Sequence, residues 1–392
     1  MTKGIYIDVT NTFNQRFLSG IERVVREGVK NLIYNQNSFQ YEIIPVIYDR
    51  DADAFRIIPI DKFLDWNRMP IGNKPEFSEV VLLPEQIPSG SVFFDLDGLW
   101  FVPLKRYYLL PLLKRRGVRI ASLIFDIIPI SFPKFAPEDS YVPFWQYFES
   151  EMAYADLVFT NSEFVAESIK KLLADINCSI PERIVVAPLG SDFTLCSITD
   201  PQIDRRVREI AEKNPFLLTV STVEIRKNHK LILDAYDLFL RENTDLNIIF
   251  AGRTGWKVDD VLERMHNHPD YNKRIFHFEG LNNETISFLY QSAYYTVFPT
   301  YTEGFGLPAV ESMISGTPAL LSDIPVLREI AGNRAEYFDP DKPEELFSLI
   351  KQGLMDLDVY KKRREALKKY EPVTWEAFGR TLAEELSKLI DK

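Results

Sequence analysis

The sequence predicts an α/β protein built of two successive, doubly wound, Rossmann-like lobes. Short apolar runs alternate with amphipathic stretches at helical spacing, the mark of parallel sheets covered by helices. The alternation completes two cycles of similar size. At roughly 100 to 200 residues per domain, the 392 residues accommodate the two cycles as separate domains. One interruption separates them, between Pro188 and Pro215, where "PLGSDF" and the charged "PQIDRRVREIAEKN" break the strand pattern. The expected division is 1–195 and 196–371, with 372–392 as a closing helix. Ligands of open α/β sheets collect beyond the carboxyl ends of the strands, so two facing lobes imply a cleft between them.

In the first lobe, Ile5–Val9 reads as a strand, Ile21–Tyr34 as a helix, Tyr41–Tyr48 and Ser91–Asp95 as strands, and Leu104–Arg116 as a helix. Strand Val118–Phe125, helix Phe144–Tyr154, strand Leu157–Thr160, helix Glu163–Leu173 and strand Ile184–Ala187 complete it. Asp51–Pro88, with its scattered prolines, reads as a long irregular excursion. The second cycle begins with the buried strand Phe216–Val220, the helix Lys230–Arg241 and the strand Asn247–Ala251. Helix Val258–His266, strand Arg274–Phe278, helix Asn283–Gln291 and strand Tyr295–Phe298 follow. Helix Pro308–Ser315, strand Pro318–Leu321 and several closing helices end the chain, the last with Thr374 as a candidate N-cap.

Lys plus Arg number 46 against 57 Asp plus Glu, a net charge of −11 that argues against a general nucleic-acid binder. Cys178 and Cys196 are too few for a disulfide framework or a four-cysteine zinc site, and a reducing compartment fits. The start, "MTKGIYIDVTNTF", has no apolar signal core, and no apolar run approaches a membrane span, so a cytoplasmic chain is expected.

The strongest chemical signal is "YTEGFGLPAVESMISGTP" at 301–318, directly after an apolar strand. Gly304 and Gly306 let a backbone approach a ligand closely, and Pro308 suits the first helical position because its missing N–H would be unpaired there. The amides of Phe305, Gly306 and Leu307 then converge with the positive end of a helix dipole, an arrangement that favours an anion. Glu303 and Glu311 flank it, and ionised carboxylates accept hydrogen bonds from hydroxyl-rich ligands. Capping of the helix dipole is the simpler alternative for both.

That Glu, seven residues, Glu spacing around Gly-Phe-Gly-Leu-Pro resembles the signature of family-four retaining glycosyltransferases of the GT-B fold. Further similarity lies in "STVEIRKNHKLILDAY" at 221–236, "AGRTGW" at 251–256, "VVAPLGSDF" at 185–193 and "SDIPVLREIAG" at 322–332. In the first lobe, "IDVTNT", "SGIERVV" and "IFDIIPISFP" resemble bacterial members that build O-antigen or capsular polysaccharide. The resemblance implies that Glu303 holds the donor sugar's hydroxyls and Glu311 the nucleotide ribose. It implies that the amides of Gly304, Phe305, Gly306 and Leu307 serve sugar and diphosphate, and that Lys227, preceded by Arg226, binds the diphosphate at the start of a helix. Where many members carry an arginine after the first strand of that lobe, this chain has Ser221.

In the first lobe the resemblance implies that Ser19, Gly20 and Ile21 present amides to the donor phosphates, with Arg16 or Arg23 adding charge; a plain helix start is an equal alternative. At "FDIIP", Phe125 stands where the family often has histidine, and Asp126 remains at a strand's carboxyl end, either to accept a bond from an acceptor or sugar hydroxyl or to cap its own loop. The closing helix is implied to cross back to the first lobe. The implied reaction is front-face hexosyl transfer from a nucleotide-sugar, with GDP-mannose the first choice of donor and a rhamnosyl or other hexosyl donor next, to a glycan or lipid-linked glycan. No cofactor and no metal are expected, because cations and helix-end amides neutralise the diphosphate. A nucleotide-sugar epimerase and a non-catalytic sugar-binding scaffold are the rivals.

Asp95-Leu96-Asp97 has the form of a metal-diphosphate motif from a different transferase fold and is read here as structural. His229, His266, His268 and His277 show no paired metal spacing beyond a weak His-x-His. The basic runs at 114–116 and 361–364 read as solvated helix faces, and are the segments that would meet anionic lipid in a peripheral membrane contact.

Overall fold

The computed structural model describes residues 2–15, 20–39, 41–69, 73–192, 195–240 and 245–390. The chain divides into two compact units, Met1–Gly190 with Val373–Lys392, and Ser191–Pro372.

The first unit opens with β1 (Gly4–Asp8), α1 (Thr10–Asn14), α2 (Gly20–Phe39) and β2 (Glu42–Asp49). It continues through β3 (Ala54–Ile57), α3 (Ile60–Trp66), β4 (Val81–Leu82), β5 (Val92–Asp95), α4 (Arg106–Arg115) and β6 (Arg119–Ile124). Then come α5 (Ile128–Ser131), α6 (Tyr141–Tyr154), β7 (Leu157–Thr160), α7 (Glu163–Asp175) and β8 (Ile184–Val186). Among the described residues eight strands form one sheet in the order β4-β3-β2-β1-β5-β6-β7-β8. β2, β1, β5, β6, β7 and β8 run parallel, and all but the edge strand β8 are largely buried, in keeping with their near-continuous apolar runs.

The Asp51–Pro88 excursion is more regular than its sequence suggests. β3 pairs antiparallel with β2 and β4 antiparallel with β3, extending the sheet, and Phe55 and Leu82 enter its core fully buried. Strands of four and two residues are too short to show a period, and Pro59, the N-cap of α3, ends β3 at once.

The second unit contains α8 (Arg205–Ala211), β9 (Phe216–Val220), α9 (His229–Leu240), β10 (Asn247–Ala251), α10 (Asp259–Asn267), β11 (Ile275–Phe278) and α11 (Asn283–Ser292). It goes on with β12 (Tyr295–Phe298), α12 (Leu307–Ile314), β13 (Ala319–Ser322), α13 (Pro325–Ala331), β14 (Glu336–Phe338), α14 (Pro343–Met355) and α15 (Leu357–Leu367). The six strands run in the order β11-β10-β9-β12-β13-β14 and are all parallel. This is the doubly wound pattern with its reversal between β9 and β12. The charged stretch after Pro201 is the helix α8, with Asp204 accepting from the Val207 N–H at 2.9 Å as its N-cap.

α16 (Trp375–Ile390) returns to the first unit. Thr374 Oγ1 accepts from the Ala377 N–H at 3.1 Å, the expected cap. Trp375, Phe378, Leu382 and Leu386 form its buried stripe, Tyr41 donates to the Ala383 carbonyl at 3.2 Å, and Arg183 pairs with Glu385. Where the chain leaves this unit it touches the point of return: a Cβ on Gly190 would lie 2.4 Å from Trp375 Cα, so only glycine fits.

Candidate functional site

The reversal of strand order between β9 and β12 leaves a crevice beyond their carboxyl ends, and the two loops that carry the strongest sequence signals emerge there. Residues 225–227 form one tight 3-10 turn, followed by Asn228 in the left-handed region at φ +52° before α9 begins. Lys227 therefore sits just ahead of the helix, not at its start as expected. The loop after β12 is zipped to this turn: the Tyr301 N–H donates to the Arg226 carbonyl at 3.0 Å, and Arg226 Nη1 donates to the Thr302 carbonyl at 2.8 Å.

This zipping brings the expected cations onto the expected carboxylate. Glu303 Oε1 lies 2.5 Å from Lys227 Nζ and Glu303 Oε2 lies 2.8 Å from Arg226 Nη1, with the Glu303 side chain only 12% exposed. Burial pushes the Glu303 carboxyl up, but Arg226 and Lys227 outweigh it and hold the group at about 2. Glu224, which the sequence reading passed over, is buried and binds Arg226 Nη2 at 2.6 Å. Its own carboxyl is raised by burial, against the pull of Arg226 and Lys227. Its signal was positional: an acid two residues before a basic pair, in a loop leaving a buried strand. Two acids thus balance two bases before any ligand arrives, which avoids an unpaired buried charge.

A recess beside this cluster is lined by Thr219, Ser221, Lys227, Glu303, Gly306 and Pro308 among others. Gly306, at φ +103°, is the N-cap of α12, so Leu307 is the first helical residue and Pro308 the second, one place later than expected. No acceptor meets the N–H groups of Phe305, Gly306 and Leu307 among the described residues, and these amides stand at the positive end of α12. Gly304 and Phe305 are buried in the same loop. Glu311 lies beyond the first turn of α12 with Tyr290 donating to its Oε2 at 3.0 Å, and it does not line the recess. Ser221, in place of a cation, sits 3.3 Å from His229 Nε2. Burial, then Lys227, lowers that imidazole to about 3, so it is neutral.

Most of the remaining candidates lie in the first unit. Gly20 opens α2, while Arg16 and Ser19 fall outside the described residues. Arg23 lies over the Trp375 ring at 5.6 Å. Asp126 follows β6, and its Oδ1 accepts from the Ile128 N–H at 2.9 Å, so at least one oxygen caps its loop. Asp95 and Asp97 are fully buried. Arg106 bridges Asp95 at 2.5 Å and Asp8 at 2.7 Å, while Asp97 accepts from the backbone N–H of Thr12 at 2.6 Å and its hydroxyl at 2.9 Å. Burial pushes Asp97 up to about 8, and burial together with Asp95 raises Glu151 well above the usual range. Glu151 Oε2 accepts from Ser122, and Glu151 shares a side-chain hydrogen bond with Asp95. The basic runs are not uniformly solvated: Lys114 pairs with Asp156 at 2.8 Å, and buried Arg363 binds Glu336 at 3.0 Å and the Tyr295 hydroxyl at 2.6 Å. Among the described residues no helix is long and apolar enough to cross a membrane.

The family profile described as "Glycosyl transferases group 1" matches residues 200–374. The serotype-specific mannosyltransferase WbdA of Escherichia coli is 27% identical over 248 residues, which is 62% of this chain and 30% of that protein. The O-antigen chain mannosyltransferase RfbU of Salmonella typhimurium is 34% identical over 125 residues, 32% of each chain. The chain thus spans about a third of the length of these curated relatives. Among solved structures, HepE of Anabaena in complex with UDP superposes with a TM-score of 0.69 over 99% of this chain and 100% of that one, at 15% identity. Sucrose-phosphate synthase from Thermosynechococcus elongatus gives 0.66 over the whole of both chains, also at 15%. The two largely parallel sheets and these likenesses give the GT-B fold, and residues 200–374 are similar to the group 1 glycosyl transferases.

Proposed function

We propose that the protein is a retaining hexosyltransferase that moves a sugar, mannose from GDP-mannose first in order, from a nucleotide-sugar to a glycan or lipid-linked glycan acceptor in bacterial surface polysaccharide synthesis. The observation that carries this is the meeting of Arg226, Lys227 and Glu303 at the strand reversal of the unit that the family profile matches. The names of the mannosyltransferase relatives support the choice of sugar and process.

In this reading the diphosphate takes over Lys227 and Arg226 together with the amides of Gly304 to Leu307, and Glu303, released from its ion pairs, fixes the sugar hydroxyls. Glu311 holds the ribose. The bond between the anomeric carbon and the diphosphate oxygen breaks, and its electron pair leaves with the nucleotide. The acceptor hydroxyl attacks from the same face, and its proton passes to the leaving phosphate. Both cations stabilise the charge that grows on that phosphate, so no metal is required. The first unit supplies the acceptor site, with Asp126 and the backbone at Gly20 facing substrate. The protein works in the cytoplasm, at the inner membrane face when the acceptor is lipid-linked.

The test is turnover on a panel of nucleotide-sugars with chelator present, with the anomeric configuration of the product read by NMR. Retention with GDP-mannose in EDTA is expected. Inversion, loss of activity in EDTA restored by manganese, or hydrolysis and epimerisation without any transfer would overturn the reading.

A further inference from the structure

The second unit holds a cavity of about 380 Å³ away from the strand reversal, between the carboxyl end of α12 and one face of α15. Lys361, Arg364 and Lys368 line it, with Glu365, Tyr370 and Gly316 among the remaining walls. The spacing of the three cations, three and four residues apart, puts them on a single helical face. Their neighbour Arg363 points the other way and is consumed by Glu336, Tyr295 and Gln352. The basic run at 361–364 is thus divided: one cation holds the core, and others are directed at a recess.

Three cations against the single carboxylate of Glu365 leave the lining at +2, in a chain whose net charge is −11. The existing pairs are weak competitors. Lys361 lies 3.9 Å from Asp358 and Lys368 lies 2.6 Å from Glu365, both lysines being 63% or more exposed, and no carboxylate pairs with Arg364 among the described residues. Exposed pairs of this kind are worth little and exchange readily for a better anion. The floor is open because Gly316, at φ +71°, has no side chain, and Arg364 Nη2 is the nearest atom to where a Cβ would stand, at 4.0 Å. Arg334 lies 5.4 Å from the ring of Tyr370, one of the lining residues.

We propose that this pocket is a second anion site that binds a phosphoryl group, from a soluble phosphate or a phospholipid headgroup, independently of the donor site. A tetrahedral oxyanion accepts charge-assisted bonds from all three cations at once, which neither Asp358 nor Glu365 does.

The experiment measures thermal shift with inorganic phosphate against chloride at matched ionic strength, and co-sedimentation with phosphatidylcholine vesicles with and without phosphatidylglycerol. The wild type is compared with Lys361→Ala/Arg364→Ala/Lys368→Ala and with the milder Lys361→Ala/Lys368→Ala, which changes only exposed side chains. Both variants should weaken phosphate roughly tenfold or more while keeping donor turnover within about twofold. Sedimentation with phosphatidylglycerol that the variants lose identifies a headgroup; phosphate binding without vesicle binding identifies a soluble phosphate. Phosphate and vesicle responses unchanged in both variants would overturn the site. Donor turnover is read separately, so failure of the donor reading leaves this result intact.

Discussion

Glu303→Gln should separate three quantities that are usually lost together. The carboxyl, 4.5 in the unfolded chain, is held at about 2. That difference corresponds to about 3 kcal/mol favouring the charged form at neutral pH. The contribution is present above pH 4.5 and is lost as pH falls through 2, so at pH 7 glutamine forfeits it and leaves Arg226 and Lys227 with only Glu224 as counter-charge. Unit 2 should lose about 1 to 3 kcal/mol in urea unfolding. Diphosphate affinity should hold or rise, because the anion no longer competes with a carboxylate 2.5 Å from Lys227. Turnover should fall roughly 100- to 1,000-fold, since a fixed charge that orients the sugar acts chiefly in the transition state. The assays are calorimetric titration with the nucleoside diphosphate, release of nucleotide from the full donor, and urea denaturation. A tenfold loss of diphosphate affinity, or near wild-type turnover, would refute the competition between Glu303 and the diphosphate.

Lys227→Ala should weaken diphosphate binding and turnover alike, by about 1.5 to 3 kcal/mol, because the ammonium serves ground and transition states; calorimetry showing unchanged affinity would remove it from the site. Tyr290→Phe strips the 3.0 Å bond to Glu311 and should raise the donor KM roughly 5- to 30-fold with kcat little changed, whereas an unchanged KM would detach Glu311 from the nucleotide. Asp97 binds its proton up to about pH 8 in the folded protein but only to its ordinary 3.8 when unfolded, so its contribution to stability is complete below 3.8 and is lost as pH rises through 8. Between pH 5 and 8 the slope should approach about 1.4 kcal/mol per pH unit for this one group, and denaturation of Asp97→Asn should show a flatter profile; equal slopes would refute a protonated Asp97.

The sequence made the second unit readable because its buried parallel strands are continuous apolar runs and its loops carry charged and glycine residues at fixed offsets from strand ends. Lys227 and Glu303 lie 76 residues apart, yet each could be placed separately after a strand that borders the reversal. What it did not show is side-chain pairing: nothing in "EIRKN" says that Glu224 turns inward to hold Arg226, or that Asn228 takes a left-handed turn so that Lys227 precedes the helix. In "KKRR", four similar residues on one helix meet different surroundings within a single turn: Arg363 is itself buried against Tyr295 and Glu336, while Lys361, Lys362 and Arg364 stay exposed. The β3–β4 ribbon escaped notice because its strands stand on tertiary pairing, with β2 supplying the hydrogen bonds that four and two residues cannot specify alone.

The contact of Gly190 with Trp375 has a consequence for the order in which the protein is made. The first unit is interrupted: α16, which buries Trp375, Phe378 and Leu382, leaves the ribosome only after all of Ser191–Pro372. At about 5 to 20 residues per second, the apolar face of α2 that receives it waits on the order of 10 to 40 s. The second unit, continuous in the chain, has everything it needs before then and can fold as an insertion whose two ends are already neighbours. Nascent chains should therefore acquire protease resistance in reverse order, the later-made unit first and the amino-terminal one last. Because the two crossing strands of backbone touch, a short linker joining residue 190 to residue 373 is the natural way to produce the first unit alone.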